Sequence, residues 1–132
     1  MNAQKKVYIA SRFDRKLKVA ELYERFKKLG YEVAVDWTVH KPIKPYEENI
    51  IPAWQYSVED MKGIIDCDLF ILLTDKEGTG IYAELGAAIF SNLEHGKPKI
   101  YVIGDYTSNC MFYFHPSVNR RKTIDEVIKE IE

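Results

Sequence analysis

The sequence predicts a single three-layer α/β domain with a five-stranded, mostly parallel sheet. At 132 residues the chain has the length of one ordinary domain, and we expect that domain to cover residues 1–132. Short apolar runs alternate along the chain with segments of helical periodicity, which is typical of parallel sheets flanked by helices. The run at residues 69–73 contains no polar side chain. A strand there would be covered on both faces, so it is predicted to be central.

The first half of the chain predicts two strands and two helices. Residues 7–10 are apolar β-formers, and residues 31–35 alternate in polarity. Between them, residues 14–29 carry apolar side chains at helical spacing, with Asp14 as N-cap and a stop at Gly30. Residues 38–52 are irregular, with prolines at 42, 45 and 52, and predict a functional loop or a lid. A second helix over residues 53–66 is interrupted in its pattern by Gly63.

The second half predicts the remaining strands and helices. Residues 68–73 and 99–103 predict strands, and the helix between them ends at Gly96. Residues 110–114 predict a fifth strand, or a short helix that leads into one. Thr123, with Glu126 three residues later, predicts the N-cap of a terminal helix. Right-handed crossovers favour the strand order 2-1-3-4-5 of flavodoxin-like and Rossmann-like domains, with the loops after strands one and three adjacent at the carboxyl edge.

Composition excludes several classes of partner. A net charge of -1, from 19 basic and 20 acidic residues, gives no electrostatic case for a nucleic-acid or membrane partner. The three histidines and two cysteines lack ligand spacing, so we expect neither a metal nor another cofactor. Arg120, Arg121 and Lys122 form a short basic run that we interpret as a solvated surface. Two cysteines are too few for a disulfide framework, which favours a reduced, cytoplasmic protein.

The glycine-rich turn after the third strand presents one carboxylate, Glu84. The turn lacks the spacing of a dinucleotide fingerprint and the lysine of a P-loop, so it is a weak phosphate site. The helix N-terminus is expected to favour ionised Glu84 by roughly 0.5–1 kcal/mol. An ionised carboxylate suits attack on an anomeric carbon. A glutamate that only balances the helix dipole is the competing interpretation, although Gly78, Gly80 and Gly86 would let a ligand approach closely.

Three motifs carry a family resemblance: Val7-Tyr8-Ile9-Ala10-Ser11-Arg12-Phe13, Cys67-Asp68-Leu69-Phe70-Ile71-Leu72, and Gly78-Thr79-Gly80-Ile81-Tyr82-Ala83-Glu84-Leu85-Gly86-Ala87-Ala88. Their order and spacing resemble the nucleoside 2-deoxyribosyltransferase family, including relatives that hydrolyse the N-glycosidic bond of deoxynucleoside 5'-monophosphates. The resemblance implies that Glu84 is the nucleophile, that Tyr8 positions it, and that Asp68 lies at the sugar and base.

The resemblance also implies substrate-binding positions. Ser11 falls where the monophosphate hydrolases bind the 5'-phosphate, with Arg12 close enough to assist. Asn109 matches a position that contacts the sugar from a neighbouring subunit, which implies a homodimer or a larger homo-oligomer. Two aromatic residues complete this predicted edge: Phe13 in the first turn, and Trp37, which could stack on a base or simply pack.

One position departs from the family pattern. The transferases carry a base-contacting acid six residues before the nucleophile, where this chain has Gly78. Asp75, nine residues before Glu84, is the candidate substitute. Gly80, in the same turn, is expected to contact the substrate through its backbone.

The sequence therefore predicts an enzyme that cleaves the N-glycosidic bond of a nucleoside or its 5'-monophosphate. A covalent intermediate on Glu84 would pass the sugar to water or to another base with net retention. Two alternatives remain open: a TIR-like NAD hydrolase, which shares the layout and a helix-borne glutamate, and a nucleotide-binding sensor without catalysis.

Overall fold

A computed structural model describes residues 4–132, and it confirms the predicted architecture; residues 1–3 of the predicted domain lie outside the described part. All five strands are parallel and run in the order β2-β1-β3-β4-β5. The strands are β1 Lys6–Ala10, β2 Glu32–Val33, β3 Leu69–Leu73, β4 Lys99–Ile103 and β5 Val118–Arg121. The helices are α1 Lys16–Lys28, α2 Ile50–Asp66, α3 Gly80–His95 and α4 Ile124–Ile131.

The core lies on both faces of the three middle strands. Every residue of β3 is buried, as its unbroken apolar run predicts. Tyr8 of β1 stacks on Phe70 of β3 with ring centroids 5.8 Å apart. Helices α2 and α3 pack together over one face. An ion pair between Arg25 and Asp125 links α1 to α4 over the other. This layering leaves the carboxyl ends of β1 and β3 free to form a site.

The loop after β1 and the segment after β2 are more ordered than the sequence predicts. A 3₁₀ turn at Phe13–Arg15 precedes α1, and Asp14 does not cap the helix, which begins two residues later. Short 3₁₀ turns at Trp37–Val39 and Tyr46–Glu48 divide the proline-rich segment. Pro52 falls in the first turn of α2, where a missing N–H costs nothing.

Helix α2 is continuous through Gly63, which the sequence pattern treats as an interruption. The glycine is buried against the sheet. A Cβ at Gly63 would overlap the side chain of Val35 and lie 3.4 Å from Cδ2 of Tyr8. Gly63 therefore allows α2 to approach the sheet closely.

The C-terminal region decides between the two alternatives for the fifth strand. Residues Met111–Phe114 form a 3₁₀ helix, and β5 follows it at Val118–Arg121. The basic run predicted to be a solvated surface lies partly in β5, where Arg121 Nη2 donates to Glu130 at 2.7 Å. Thr123 caps α4 as predicted, because its side chain accepts a hydrogen bond from the Glu126 amide at 3.3 Å.

Over residues 4–132, none of the helices combines the length and the apolarity that crossing a bilayer requires.

Candidate active site

A cleft of about 620 Å³ opens at the carboxyl edge of the sheet, beside the ends of β1 and β3. One wall is the turn after β1, and another is the turn that leads into α3. Residues 38–49, named the strap below, form the wall opposite, together with the inner face of α2. The fold thus brings four chain segments around one cavity large enough for a nucleotide.

Three polar side chains from three different elements meet at the floor of this cleft. Tyr8 comes from β1, Asp60 from α2 and Glu84 from α3; the two carboxylates line the cavity, and Tyr8 lies fully buried behind them. Tyr8 Oη and Asp60 Oδ1 are buried and have no hydrogen-bond partner among the described residues. Unpartnered buried polar atoms are costly, and at a cleft floor they indicate a site that a ligand completes.

Burial governs the protonation of Glu84. Desolvation and, to a smaller extent, the charge of Asp60 raise the pKa of Glu84, the nearby Tyr8 hydroxyl lowers it, and the resulting pKa is about 8. Tyr8 Oη lies near the Glu84 carboxyl without forming a hydrogen bond of normal geometry, and it has no other partner among the described residues. The expectation that the helix N-terminus keeps Glu84 ionised is therefore wrong. Helix α3 begins at Gly80, so Glu84 is its fifth residue and lies beyond the first turn, where the dipole acts.

Asp60 lines the cleft although it belongs to none of the sequence motifs. Its pKa is raised to about 6, chiefly by burial; the charge of His40 lowers this pKa and the charge of Glu59 raises it. Because the pKa of Glu84 is the higher of the two, Glu84 holds the one proton that the pair retains between about pH 6 and pH 8. Helical periodicity could have identified Asp60, because it is four residues before the buried Ile64 and so lies on the same, inner face of α2.

The turn after β1 contributes Ser11, Arg12 and Phe13 to the cleft, as predicted. The Ser11 hydroxyl donates to the Arg12 carbonyl at 2.8 Å. The Arg12 guanidinium lies 3.9 Å from Asp75 and 3.8 Å from Glu77, so it bridges the turns after β1 and β3. Arg12 already faces carboxylates, whereas Lys41 and Lys44 of the strap line the cleft without an ion pair among the described residues.

Gly78 and Gly80 line the cleft, and the backbone at position 78 disfavours any side chain. Gly78 has a φ of 153°, which side chains rarely adopt, and a Cβ there would lie 2.7 Å from Cδ1 of Ile81. Asp75 does not line the cavity; besides facing Arg12 it accepts a hydrogen bond from the Glu77 amide at 3.4 Å. The candidate substitute for the missing acid is therefore outside the cleft.

Asp68 lies at the opposite edge of the sheet, which does not fit the role implied for it. It precedes β3, and its Oδ2 accepts a hydrogen bond from the Lys6 amide at 2.9 Å. Its Oδ1 is 3.9 Å from Lys97 Nζ. Because ligands in such folds bind at the carboxyl ends of strands, an acid at the amino end cannot reach them. Asp68 ties β1 to the start of β3 instead.

Trp37 and Asn109 are also placed by the structure. Trp37 forms part of the cleft wall, but it is 6% exposed and its Nε1 donates to the Ile9 carbonyl at 2.6 Å. It is a fixed packing residue rather than a free stacking surface. Asn109 is exposed in the loop after β4 and does not line the cleft of its own chain.

No group of three or more histidine, cysteine or acidic side chains within residues 4–132 is arranged to hold a metal ion.

No known family model matches the chain, and no curated protein is significantly similar to it in sequence. Among solved structures, the chain is similar to the CMP N-glycosidase BcmB of Clostridium botulinum, with a TM-score of 0.62. The match covers 96% of this chain and 98% of BcmB. The two chains share one fold. Their sequences are 19% identical, so the likeness to BcmB concerns the fold over nearly its whole length.

Proposed function

We propose that this protein is an N-glycosidase of the nucleoside 2-deoxyribosyltransferase family that acts on nucleosides or their 5'-monophosphates. The observation that carries the proposal is the cleft floor, where Asp60 and Glu84 share one proton beside the unpartnered Tyr8 hydroxyl. Glycoside cleavage with retention uses two carboxyl groups in unlike protonation states. The fold shared with a CMP N-glycosidase supports the same conclusion.

In the proposed reaction, substrate binding moves the shared proton from Glu84, the acid with the higher pKa, to Asp60. The Glu84 carboxylate then attacks C1' of the sugar. A bond forms between the carboxylate oxygen and C1', the C1'–N bond breaks, and its electron pair moves to the departing base. Protonated Asp60 then gives its proton to that base. Tyr8 donates its free hydroxyl to the Glu84 carboxylate and holds it in line.

The second half of the reaction regenerates the enzyme. Asp60, now ionised, takes a proton from water or from an acceptor base, which attacks C1' and releases Glu84. Two displacements at C1' leave its configuration unchanged. Lys41, Lys44 and the Ser11 turn are the groups that would meet a 5'-phosphate.

We also propose that the protein acts as a homodimer. The outer surfaces of two adjacent helices expose large apolar side chains: Ile51, Trp54 and Val58 on α2, with Phe90 and Leu93 on α3. Large exposed apolar patches on soluble proteins commonly mark protein–protein interfaces. Asn109 would then serve the partner's cleft. Light scattering of the wild-type protein and of Trp54→Glu tests this assembly, and a monomeric wild type would remove Asn109 from the site.

Base release from a panel of nucleosides, deoxynucleosides and their 5'-monophosphates, with and without a free acceptor base, tests the proposed activity. The Glu84→Gln variant should release no base, whereas Glu94→Gln, an exposed position on the same helix, should match the wild type. Equal rates in Glu84→Gln and wild type would refute the mechanism. Nicotinamide release from NAD would favour the TIR-like alternative, and ligand-induced thermal stabilisation without base release would favour the sensor.

A further inference from the structure

His40 of the strap lies flat against Tyr56 of α2. Their ring centroids are 3.8 Å apart and the planes differ by 1°. The next residue adds a hydrogen bond, because the Lys41 amide donates to Tyr56 Oη at 3.3 Å. His40 Nε2 also lies 3.5 Å from Glu59 Oε2. Residues 40 and 41 thus attach the strap to a single turn of α2.

That turn of α2 carries Asp60. Tyr56 is one helical turn before Asp60, and Glu59 immediately precedes Asp60. The His40 ring contacts both Tyr56 and Glu59, so its position relative to the Asp60 carboxyl is fixed. The His40 side chain is only 13% exposed, which limits screening of its charge by solvent. Its charge acts on Asp60 in the direction that favours the carboxylate.

The charged and titratable groups around Asp60 come from every element packed against it: Tyr56 and Glu59 on α2, His40 and Lys41 on the strap, Tyr8 on β1 and Glu84 on α3. Burial and the charge of Glu59 both favour the protonated acid. His40 is the group that opposes them through a contact of known geometry, since Lys41 presents its backbone amide rather than its ammonium group to Tyr56.

We propose that His40 is a positioning residue of this cleft: stacked on Tyr56, it holds the strap closed and sets the charge at Asp60. The inference rests on the proposed function, in which Asp60 protonates the departing base. The strap then has a second role besides forming a wall of the cleft. If the strap moved away from α2, the imidazole would leave Asp60, and that carboxyl would stay protonated over a wider pH range.

Two variants separate the charge of His40 from its packing. His40→Phe keeps an aromatic ring on Tyr56 and removes the charge. Tyr56→Phe keeps the ring and removes only the hydroxyl that accepts from Lys41. In profiles of kcat/KM against pH for base release, the limb that reports Asp60 should move upward in His40→Phe by about 0.5–1 pH unit. Tyr56→Phe should leave that limb in place.

A titration without substrate distinguishes failure of this inference from failure of the proposed function. Carboxyl ¹³C NMR of Asp60 in the wild type and in His40→Phe reports the same coupling whether or not any nucleotide is cleaved. An upward shift of the Asp60 titration in His40→Phe supports the proposal. An unmoved titration, or an equal shift in Tyr56→Phe, overturns it, because a merely structural ring would act through packing alone.

Discussion

Gly63 packs directly against Val35, and this contact sets the distance between α2 and the sheet. A methyl group on Gly63 would overlap Cγ2 of Val35 and lie 3.2 Å from its Cβ. Asp60 is one turn earlier on the same helix, so the closeness at Gly63 also determines how deeply the Asp60 carboxyl enters the cleft. A packing residue outside the cleft therefore controls the geometry of the proposed acid.

Gly63→Ala is expected to destabilise the fold by roughly 1–3 kcal/mol, because the added methyl group overpacks a buried contact. Activity should fall as well, since α2 must move outward and carry Asp60 with it. Urea unfolding measures the first effect and base release the second. Gly86→Ala is the matched control: its Cβ meets nothing within 4 Å, and alanine favours helix by about 1 kcal/mol over glycine. Equal stabilities of the two variants would contradict the contact.

Glu84→Gln should stabilise the protein at alkaline pH. The pKa of Glu84 is about 8 in the folded state and 4.5 in its ordinary state. The folded chain therefore binds more protons than the unfolded chain between these values, and its stability falls as pH rises through that window. Glutamine removes this fall. At pH 8.5 the variant should be more stable by roughly 2–5 kcal/mol, and at pH 4 the two proteins should agree. Urea unfolding of both proteins at the two pH values measures this difference. If the free energies of unfolding of wild type and Glu84→Gln changed equally with pH, the pKa of Glu84 would not be raised in the folded state.

Asp60→Asn should lower kcat by roughly 10²–10⁴-fold, the usual effect of removing a general acid. The wild-type pH profile should be bell-shaped, with limbs set by the Asp60–Glu84 pair, and Asn should abolish one of them. Substrates whose base leaves without protonation should lose much less activity. A variant that lost equal activity on every substrate and kept both limbs would exclude Asp60 as the acid.

Asp68→Asn should retain nearly full activity, in contrast to Asp60→Asn. Asp68 accepts a hydrogen bond from the Lys6 amide at the amino edge of the sheet, and weakening that bond should cost about 1 kcal/mol of stability. Paired measurements of unfolding and base release on both variants test the assignment. Loss of activity without loss of stability in Asp68→Asn would restore its implied role.

Gly78→Asp should destabilise the protein by roughly 1–3 kcal/mol rather than create base exchange. Gly78 adopts a φ of 153°, and a side chain there meets Ile81. Thermal unfolding and an exchange assay with a free base measure the two effects. A stable Gly78→Asp variant with new exchange activity would show that the turn can relax to accept the acid.

The elements of this protein follow from local patterns that its sequence displays. The unbroken apolar run at Leu69–Leu73 identifies the central strand, and the strand–helix alternation, with right-handed crossovers, leads to the order 2-1-3-4-5. Glu84 is identifiable because a glycine-rich turn and a helix start surround it. The sequence does not distinguish the 3₁₀ helix at Met111–Phe114 from a short strand, because four consecutive apolar residues fit both.

Tertiary structure alone decided which acids share the cleft and what charge they carry. Asp68 stands in a motif, yet strand direction carries it to the amino edge; Asp60 stands in no motif, yet the close packing of Gly63 brings it to the floor. Tertiary packing also decides the protonation of Glu84: the helix start predicts an ionised carboxylate, whereas burial raises its pKa. Sequence position specifies the helix on which a carboxyl sits, but its pKa depends on the water removed and the charges placed around it by residues distant along the chain.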